Sequence, residues 1–172
     1  MLDFIKAVLD LKEVRRQGWV DAGIDGAESV ADHTFGTSMI TMILSDKAGC
    51  NTERALKMAL LHDMAEAVTG DIVPGTMPPD KKREQENRVI NEILGRLPDM
   101  MQDTYKEVWR EYAECQTEEA ILVHNADRLD MAIQAKRYGP QMTSALLAEF
   151  LKSAKDGIID SNPELLMREV RL

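Results

Sequence analysis

Apolar residues recur every three or four positions along most of the chain, the spacing that puts them on one face of an α-helix. In the first such segment Phe4, Val8 and Leu11 share a face, and charged residues occupy the other side. The pattern predicts an all-α protein, and the length favours a single domain covering residues 1–172. Helices are predicted over Phe4–Gln17, Asp32–Lys47, Ala55–Val68, Asp80–Leu97, Asp103–Glu114, Thr117–Arg137 and Gln141–Lys155.

Residues that commonly cap helices precede three of these segments. Ser29 or Asp32 can cap the second helix, and Asn51 or Thr52 can cap the third. Thr117 can cap the sixth. Capping places the start of each helix to within a residue or two.

Three segments interrupt the helical pattern. Val20–Val30 contains two glycines and several acidic residues and is predicted to be a polar loop. Ile72–Pro79 is dense in proline, and long loops of this kind are commonly functional or disordered. The tail beyond Lys155, which contains Pro163, is expected to be weakly ordered.

Composition agrees with a helical protein and limits its partners. Aromatic residues make up only 5% of the chain and methionine occurs 11 times, a balance typical of cores packed from Leu, Ala and Met. The net charge of −9 disfavours nucleic acid polymers and anionic membranes, so a phosphate-bearing ligand must be held by a local site. Cys50 and Cys115 match neither a disulfide framework nor a zinc motif. Without a signal-peptide core or an apolar run of about 20 residues, the protein is expected to be soluble and cytoplasmic.

The third predicted helix is rich in Ala, Leu and Met, yet it contains the adjacent pair His62 and Asp63, followed by Glu66. Burying such polar groups without partners costs on the order of 2–7 kcal/mol. On a helix the three side chains can border one pocket, and their mixed nitrogen and oxygen atoms suit a divalent transition metal. A histidine hydrogen-bonded to a carboxylate inside the core is the alternative interpretation.

Further polar residues lie at the ends or along the buried stripes of other helices. His33 begins the second helix, Asp71 follows the third, and Asp127 lies beside an apolar seam of the sixth. Each could instead be a structural residue with a local partner. The stripe Tyr105, Trp109 and Tyr112 could belong to the core or to a subunit contact.

Taken in chain order, these residues resemble a known pattern. The segments Glu28–His33 (ESVADH), Leu61–Asp71 (LHDMAEAVTGD) and Asn125–Asp130 (NADRLD) resemble the HD-domain superfamily of metal-dependent phosphohydrolases, whose ligands follow the order H…HD…D. The amino-acid sequences of these segments most resemble the branch that contains YfbR-type 5'-deoxynucleotidases and the eukaryotic HD-domain-containing protein 2. The segment Arg16–Trp19 (RQGW) is also similar to that branch, so the motifs cover about residues 15–137. In YfbR-type enzymes a basic residue directly precedes the tryptophan, a position held here by glycine.

The resemblance implies a helical HD-domain bundle that holds one divalent transition metal, cobalt or manganese, or else zinc, iron or nickel. It implies hydrolysis of nucleoside or deoxynucleoside 5'-monophosphates to nucleoside and phosphate, and a homodimer. Arg16 would bind the phosphate, and Trp19 would pack near the sugar and favour deoxyribose. The metal ligands would be His33, His62, Asp63 and Asp127, and the catalytic acidic residues near the substrate would be Glu66 and Asp71.

Two competing hypotheses remain. HD-domain oxygenases hold two irons with additional histidines, but this chain has only His33, His62 and His124. The other hypothesis is a non-catalytic interaction or sensing module, in which the metal only joins helices. Because a structural metal site is closed by its own ligands, two further acids facing the site, Glu66 and Asp71, favour the enzyme.

Overall fold

The computed structural model describes residues 1–73 and 75–159, and within these ranges the chain is helical with no β-strand. The all-α prediction is confirmed. The expected weak order of the tail around Pro163 concerns residues outside this description. The helices are α1 (Leu2–Asp10), α2 (Gln17–Asp21), α3 (Val30–Ala48), α4 (Thr52–Leu61), α5 (Glu66–Thr69), α6 (Pro79–Leu94), α7 (Asp99–Glu114), α8 (Glu118–Tyr138) and α9 (Ser144–Gly157).

Helix α3 packs against both α4 and α8, and α9 packs on α8. The larger hydrophobic core lies among α1 and α4 to α8, around fully buried residues such as Met58, Ile90 and Val123. A smaller cluster joins α2, the end of α8 and α9 around Trp19 and Tyr138. No helix in the described part of the chain combines the length and apolar character needed to cross a membrane.

The first helix is shorter than its apolar pattern predicts. Helix α1 ends at Asp10, whereas the prediction extended it to Gln17. Beyond a turn, the chain becomes extended, and the backbone N–H of Arg16 donates to the Glu28 carbonyl at 3.0 Å. This pairing between distant segments replaces the last helical turns, which the local pattern could not reveal.

The prediction of a loop over Val20–Val30 is wrong at its start, because Gln17–Asp21 forms the short helix α2. A carboxylate oxygen of Asp71 accepts a hydrogen bond from the backbone N–H of Gln17 at 2.6 Å. The bond satisfies one of the free N–H groups at the helix start and favours negative charge there. Asp71 therefore ties α2 to the segment that follows α5.

The predicted third helix is interrupted, because α4 ends at Leu61 and α5 begins at Glu66. The Nδ1–H of His62 donates to the Ala59 carbonyl at 2.7 Å, taking an acceptor that the next turn would use. Between the helices, backbone N–H groups bond three residues back, as Glu66 N does to the Asp63 carbonyl at 3.0 Å. The polar motif therefore lies on a tight turn between two helices, not on a continuous helix.

The capping predictions are confirmed. Ser29 caps α3 through its side chain, and Asp32 completes the capping box by accepting from the Ser29 backbone N–H. Asn51 and Thr117 accept backbone N–H groups at the starts of α4 and α8. These caps fix where the helices that carry the polar residues begin.

The aromatic stripe on α7 belongs to the core. Trp109 is buried, and Tyr105 and Tyr112 pack against the larger cluster. The ring of His124 stacks on Tyr112, and its Nε2–H donates to the Tyr112 carbonyl at 3.1 Å. Of the two interpretations of the stripe, the structure supports the core.

Candidate functional site

Two histidine rings from different helices meet at the base of the site. His33 lies in the first turn of α3 and His62 directly follows α4, and their Nε2 atoms are 3.3 Å apart. The Nδ1–H of His33 donates to a carboxylate oxygen of Asp130 at 2.7 Å, as that of His62 does to the Ala59 carbonyl. Because both Nδ1 atoms are engaged, both Nε2 atoms are directed at the same point.

Two carboxylates border that point. Asp63 Oδ2 lies 3.2 Å from His62 Nε2 and 3.7 Å from His33 Nε2, and Asp127 Oδ1 lies 3.2 Å from His33 Nε2. Burial by itself would raise the pKa of both carboxyl groups. The adjacent imidazoles, with Arg16 at Asp63 and Arg128 at Asp127, instead hold both pKa values below the ordinary range. Both groups are therefore negatively charged.

The pKa of His33 also reflects this negative surrounding. Burial and the charge of Arg16 lower the pKa of the imidazole, but the carboxylates of Asp127 and Asp130 outweigh them and raise it to about 10. The ring thus carries a proton that balances the carboxylates when no metal ion is bound. A cation at the same point would replace that proton, as in metal binding to imidazole.

The donor atoms fit a divalent transition metal. One atom each of His33, His62 and Asp127 lie within 4.8 Å of one another, and Asp63 adds a further carboxylate oxygen beside both imidazoles. Two imidazole nitrogens and carboxylate oxygens suit ions between the hard and soft extremes. A second group, Glu28 with His33 and Asp130, shares the His33 ring, whose Nδ1 is already bonded to Asp130.

The cluster lies at the base of a pocket with a volume of about 390 Å³, within the usual range for small ligands. Acidic and basic side chains both line it, together with apolar residues that include Met131 of α8 and Leu146 and Phe150 of α9. Its charged lining residues are Arg16, Asp63, Glu66, Asp71, Lys82, Asp127, Arg128 and Glu149. Because acids outnumber bases, an anionic ligand would be repelled unless a cation were also present.

Glu66 is buried at the start of α5, and its Oε2 has no hydrogen-bond partner among the described residues. Burial, followed by the charges of Asp63 and Asp71, raises the pKa of Glu66 to about 10. An unpartnered, buried carboxyl oxygen beside a pocket is costly, and an ion or water bound next to it would reduce that cost.

Arg16 is surrounded by acidic groups. Its guanidinium donates to Asp63 at 3.4 Å, and Asp127, Asp71 and Glu66 also contribute negative potential. Desolvation would lower the pKa of Arg16, but these charges raise it above the ordinary value. The side chain is thus a fixed cation at the edge of the cluster.

Trp19 is 2% exposed and borders the pocket from α2. Its Nε1–H donates to Glu28 at 2.9 Å, and its ring contacts Tyr138 edge-on and Phe150 at a centroid distance of 4.5 Å. These contacts fix the plane of the indole ring.

The structure brings the residues predicted from sequence into one region. Six of them line the pocket, and the two histidines lie beneath it, bonded to its carboxylates. Sequence reasoning missed Asp130 as the partner of His33, although Asp130 lies three residues after Asp127 on the same helix. It also missed the pocket residues of α9, because the segment Gln141–Lys155 was predicted to be a helix without any functional role.

A helical bundle with paired imidazoles and carboxylates at the base of a pocket defines a candidate metalloprotein. The chain belongs to the HD domain family, whose model matches residues 8–165. The HD domain is metal-dependent, and the His/Asp cluster described above could hold the ion.

The chain is also similar to curated proteins and to solved structures. The chain is 40% identical over 139 residues to 5'-deoxynucleotidase HDDC2 of Danio rerio, covering 80% of this chain and 69% of that protein. Identity to the Mus musculus protein of the same name is 35%, with the same coverage. The PH0347 protein from Pyrococcus horikoshii OT3 is 35% identical, with a TM-score of 0.82 over 99% of this chain and 95% of that one. A conserved hypothetical protein from Pyrococcus furiosus is 32% identical, with a TM-score of 0.81 over 99% and 96%.

Proposed function

We propose that this protein is a metal-dependent phosphohydrolase that cleaves deoxynucleoside 5'-monophosphates to nucleoside and phosphate. The observation that carries the proposal is the pair of Nε2 atoms, 3.3 Å apart, facing the carboxylates of Asp63 and Asp127 at the base of a pocket. The names of the curated relatives, 5'-deoxynucleotidases, support the same reaction.

His33, His62, Asp63 and Asp127 are the proposed metal ligands. A divalent ion held by these residues would supply a Lewis acid for activating water and for offsetting charge on the phosphoryl group. The Nδ1 contacts to Asp130 and Ala59 orient both rings, so both Nε2 atoms already face the proposed metal position and neither ring has to turn. We propose cobalt or manganese, with zinc, iron and nickel as alternatives, at about one equivalent per chain.

Glu66 is the proposed general base. Glu66 lines the pocket and its Oε2 has no partner among the described residues, and its carboxylate would accept the proton released as water attacks phosphorus. Its raised pKa in the metal-free protein means that ionisation requires added positive charge near Asp63 and Asp71. Asp71, which also borders the pocket, is the second candidate for this role.

Arg16 and Trp19 are the proposed substrate-binding residues. The Arg16 guanidinium, beside Asp63, can donate to a phosphate oxygen, for which its forked geometry is well suited. Trp19 would occupy the space that a 2'-hydroxyl needs and so favour deoxyribose. Since Trp19 is buried, Trp19→Phe is preferable to alanine, and it should narrow the ratio of kcat/KM between deoxy- and ribonucleotides.

Glu66→Gln tests the enzymatic proposal. The change keeps the shape but removes the base, so phosphate release should fall roughly 10²–10⁴-fold with metal content unchanged. Glu84→Gln is the matched control, because Glu84 is exposed on α6 and does not line the pocket. If Glu66→Gln turned over normally, the role would pass to Asp71. If neither Glu66→Gln nor Asp71→Asn affected any phosphomonoester, the metal would be structural and the module hypothesis would stand.

His62→Ala and Asp63→Ala test the ligand assignment. Losing one ligand leaves charged partners uncompensated, so both variants should purify without the equivalent of metal found in the native protein. Elemental analysis measures this directly, and full metal content in both variants would refute the ligand set. A screen of deoxy- and ribonucleotides with each candidate ion then identifies the metal that supports phosphate release.

We also propose a homodimer, located in the cytoplasm. Phe35, Met39 and Ile43, on one face of α3, are 68%, 41% and 60% exposed, and exposed apolar rows commonly mark contacts. The three residues are evenly spaced, four positions apart, so two-fold antiparallel pairing of α3 would set Met39 against its copy and Phe35 against Ile43. Sedimentation at micromolar concentration should give a dimer and Phe35→Asp a monomer; a monomeric native protein would end the proposal.

A further inference from the structure

One face of α9 lines the pocket but has no part in the proposed chemistry. Leu146, Glu149, Phe150 and Ser153 are separated by three, one and three residues, so they share that face. Phe150 is held by its contact with Trp19 at 4.5 Å, which links this face to the proposed sugar-binding residue. The face is therefore a continuation of the substrate pocket.

Glu149 is unexpected in a pocket for an anionic substrate. Glu149 is an exposed residue that lines the pocket, and it has no ion-pair partner within residues 1–73 and 75–159. Near a phosphate it would be repulsive, whereas Arg16, Lys82 and Arg128 line the same pocket and can attract one. The acidic side chain thus suits a part of the substrate that presents hydrogen-bond donors.

We propose that Glu149 and Ser153 recognise the Watson–Crick edge of guanine, so that deoxyguanosine 5'-monophosphate is the preferred substrate. This proposal rests on the function proposed above. Leu146 and Phe150 would supply apolar surface to the base, while the Glu149 carboxylate accepts two N–H groups. One turn along α9, the Ser153 hydroxyl would donate to the guanine carbonyl oxygen.

Guanine is favoured because of the pattern of its edge. It has two adjacent donors, N1–H and the N2 amino group, beside an acceptor oxygen, and a carboxylate can accept both donors at once. Adenine and cytosine set a ring-nitrogen acceptor beside their amino group, and that acceptor would face the carboxylate lone pairs. Thymine has one donor between two acceptors. Hypoxanthine keeps N1–H but lacks the amino group, which makes it the diagnostic analogue.

The test compares kcat/KM for the 5'-monophosphates of deoxyguanosine, deoxyinosine, deoxyadenosine, deoxycytidine and thymidine. We expect about a tenfold advantage of deoxyguanosine over deoxyinosine monophosphate, because one charge-assisted hydrogen bond is lost. Glu149→Gln should reduce that ratio to about one. An increase in kcat/KM that results only from removing a negative charge applies to every substrate, so it cancels in the ratio.

Asp156→Asn is the matched control, since it removes the same charge from an exposed position on α9 that does not line the pocket. It should leave the ratio unchanged. Equal kcat/KM for all five substrates, or an unchanged ratio in Glu149→Gln, would overturn the base-recognition proposal and leave the proposed reaction intact. Absence of phosphate release from every substrate by the metal-loaded native protein would instead refute the proposed function.

Discussion

Gly36 has no side chain, and Asp130 occupies the space that one would fill. A Cβ at position 36 would lie 2.1 Å from Asp130 Oδ1, a distance that forces the carboxylate to move. Asp130 is also the partner of His33 Nδ1. The glycine therefore permits the contact that orients one of the proposed metal ligands.

Gly36→Ala should consequently weaken metal binding about 10–100-fold, the usual effect of losing an outer partner of a ligating histidine. Competition with a chromogenic chelator measures the affinity. Gly18→Ala is the control, because a Cβ there meets nothing within 4 Å and the backbone φ is not positive. Asp130→Asn, which keeps the side-chain size, should reproduce the loss; native affinity in both variants would disprove the role of Asp130.

Glu66 should give the metal-free protein a distinct pH dependence. Its pKa rises from 4.5 to about 10 on folding, so between these values the folded state holds a proton that the unfolded state has released. This contribution to stability is present at low pH and is lost as the pH rises toward 10. Glu66→Gln removes this pH-dependent contribution to stability, because the amide does not titrate.

Thermal unfolding in chelator from pH 5 to pH 9 tests this expectation. The difference in Tm between Glu66→Gln and the native protein should grow in favour of the variant as pH increases. His33 titrates in the same direction but is present in both proteins, so it cancels to first order. Parallel Tm curves would show that Glu66 is not protonated in the folded protein.

At the scale of elements, the start of α3 determines where His33 lies. Ser29 Oγ accepts the Asp32 N–H, and Asp32 in turn accepts the Ser29 N–H at 2.9 Å. His33 follows in the first turn of the same helix. A frayed start would shift its ring relative to His62 across the pocket base.

Ser29→Ala should lower stability by about 1 kcal/mol, typical for loss of a cap, and also weaken metal binding. Asn51→Ala is the matched control, because it removes the cap of α4 while His62 lies at the far end of that helix. It should lower stability by a similar amount with metal affinity retained. Denaturant unfolding measures the stability of each variant, and metal titration measures its metal affinity. Equal metal affinities in Ser29→Ala and Asn51→Ala would contradict the link between the cap of α3 and the ligand His33.

At the scale of the whole molecule, the acidic pocket couples folding to metal binding. The net charge of −9 and the carboxylates gathered from the end of α4, from α5 and from α8 oppose compaction unless a cation offsets them. An ion that binds only the folded state stabilises it by about 2.7 kcal/mol at one hundred times its dissociation constant. For a chain of this size that is roughly 5–10 °C in Tm.

Adding the native metal to chelator-treated protein should produce this increase in Tm, measured by calorimetry. His62→Ala, which removes a proposed ligand, should show little change. An identical Tm with metal and with chelator for the native protein would mean that the ion contributes nothing to the fold.

Features that depend on residues close together in the chain could be predicted from the amino-acid sequence. Helical spacing predicts the long helices, and the caps at Ser29, Asn51 and Thr117 follow from side chains within three residues of the N–H groups they bind. The polar residues of the site could also be chosen, because histidines and carboxylates inside apolar segments need partners.

Features that depend on contacts between distant segments emerged only from the folded structure. The pairing of Arg16 with Glu28 shortens α1, and Asp71 reaches Gln17 to begin α2. The orientation of His33 by Asp130 and the alignment of α9 along the pocket likewise arise only when helices pack. Local spacing fixes which face of a helix is apolar or polar, but the neighbour that each face meets is set by the packing of the whole chain.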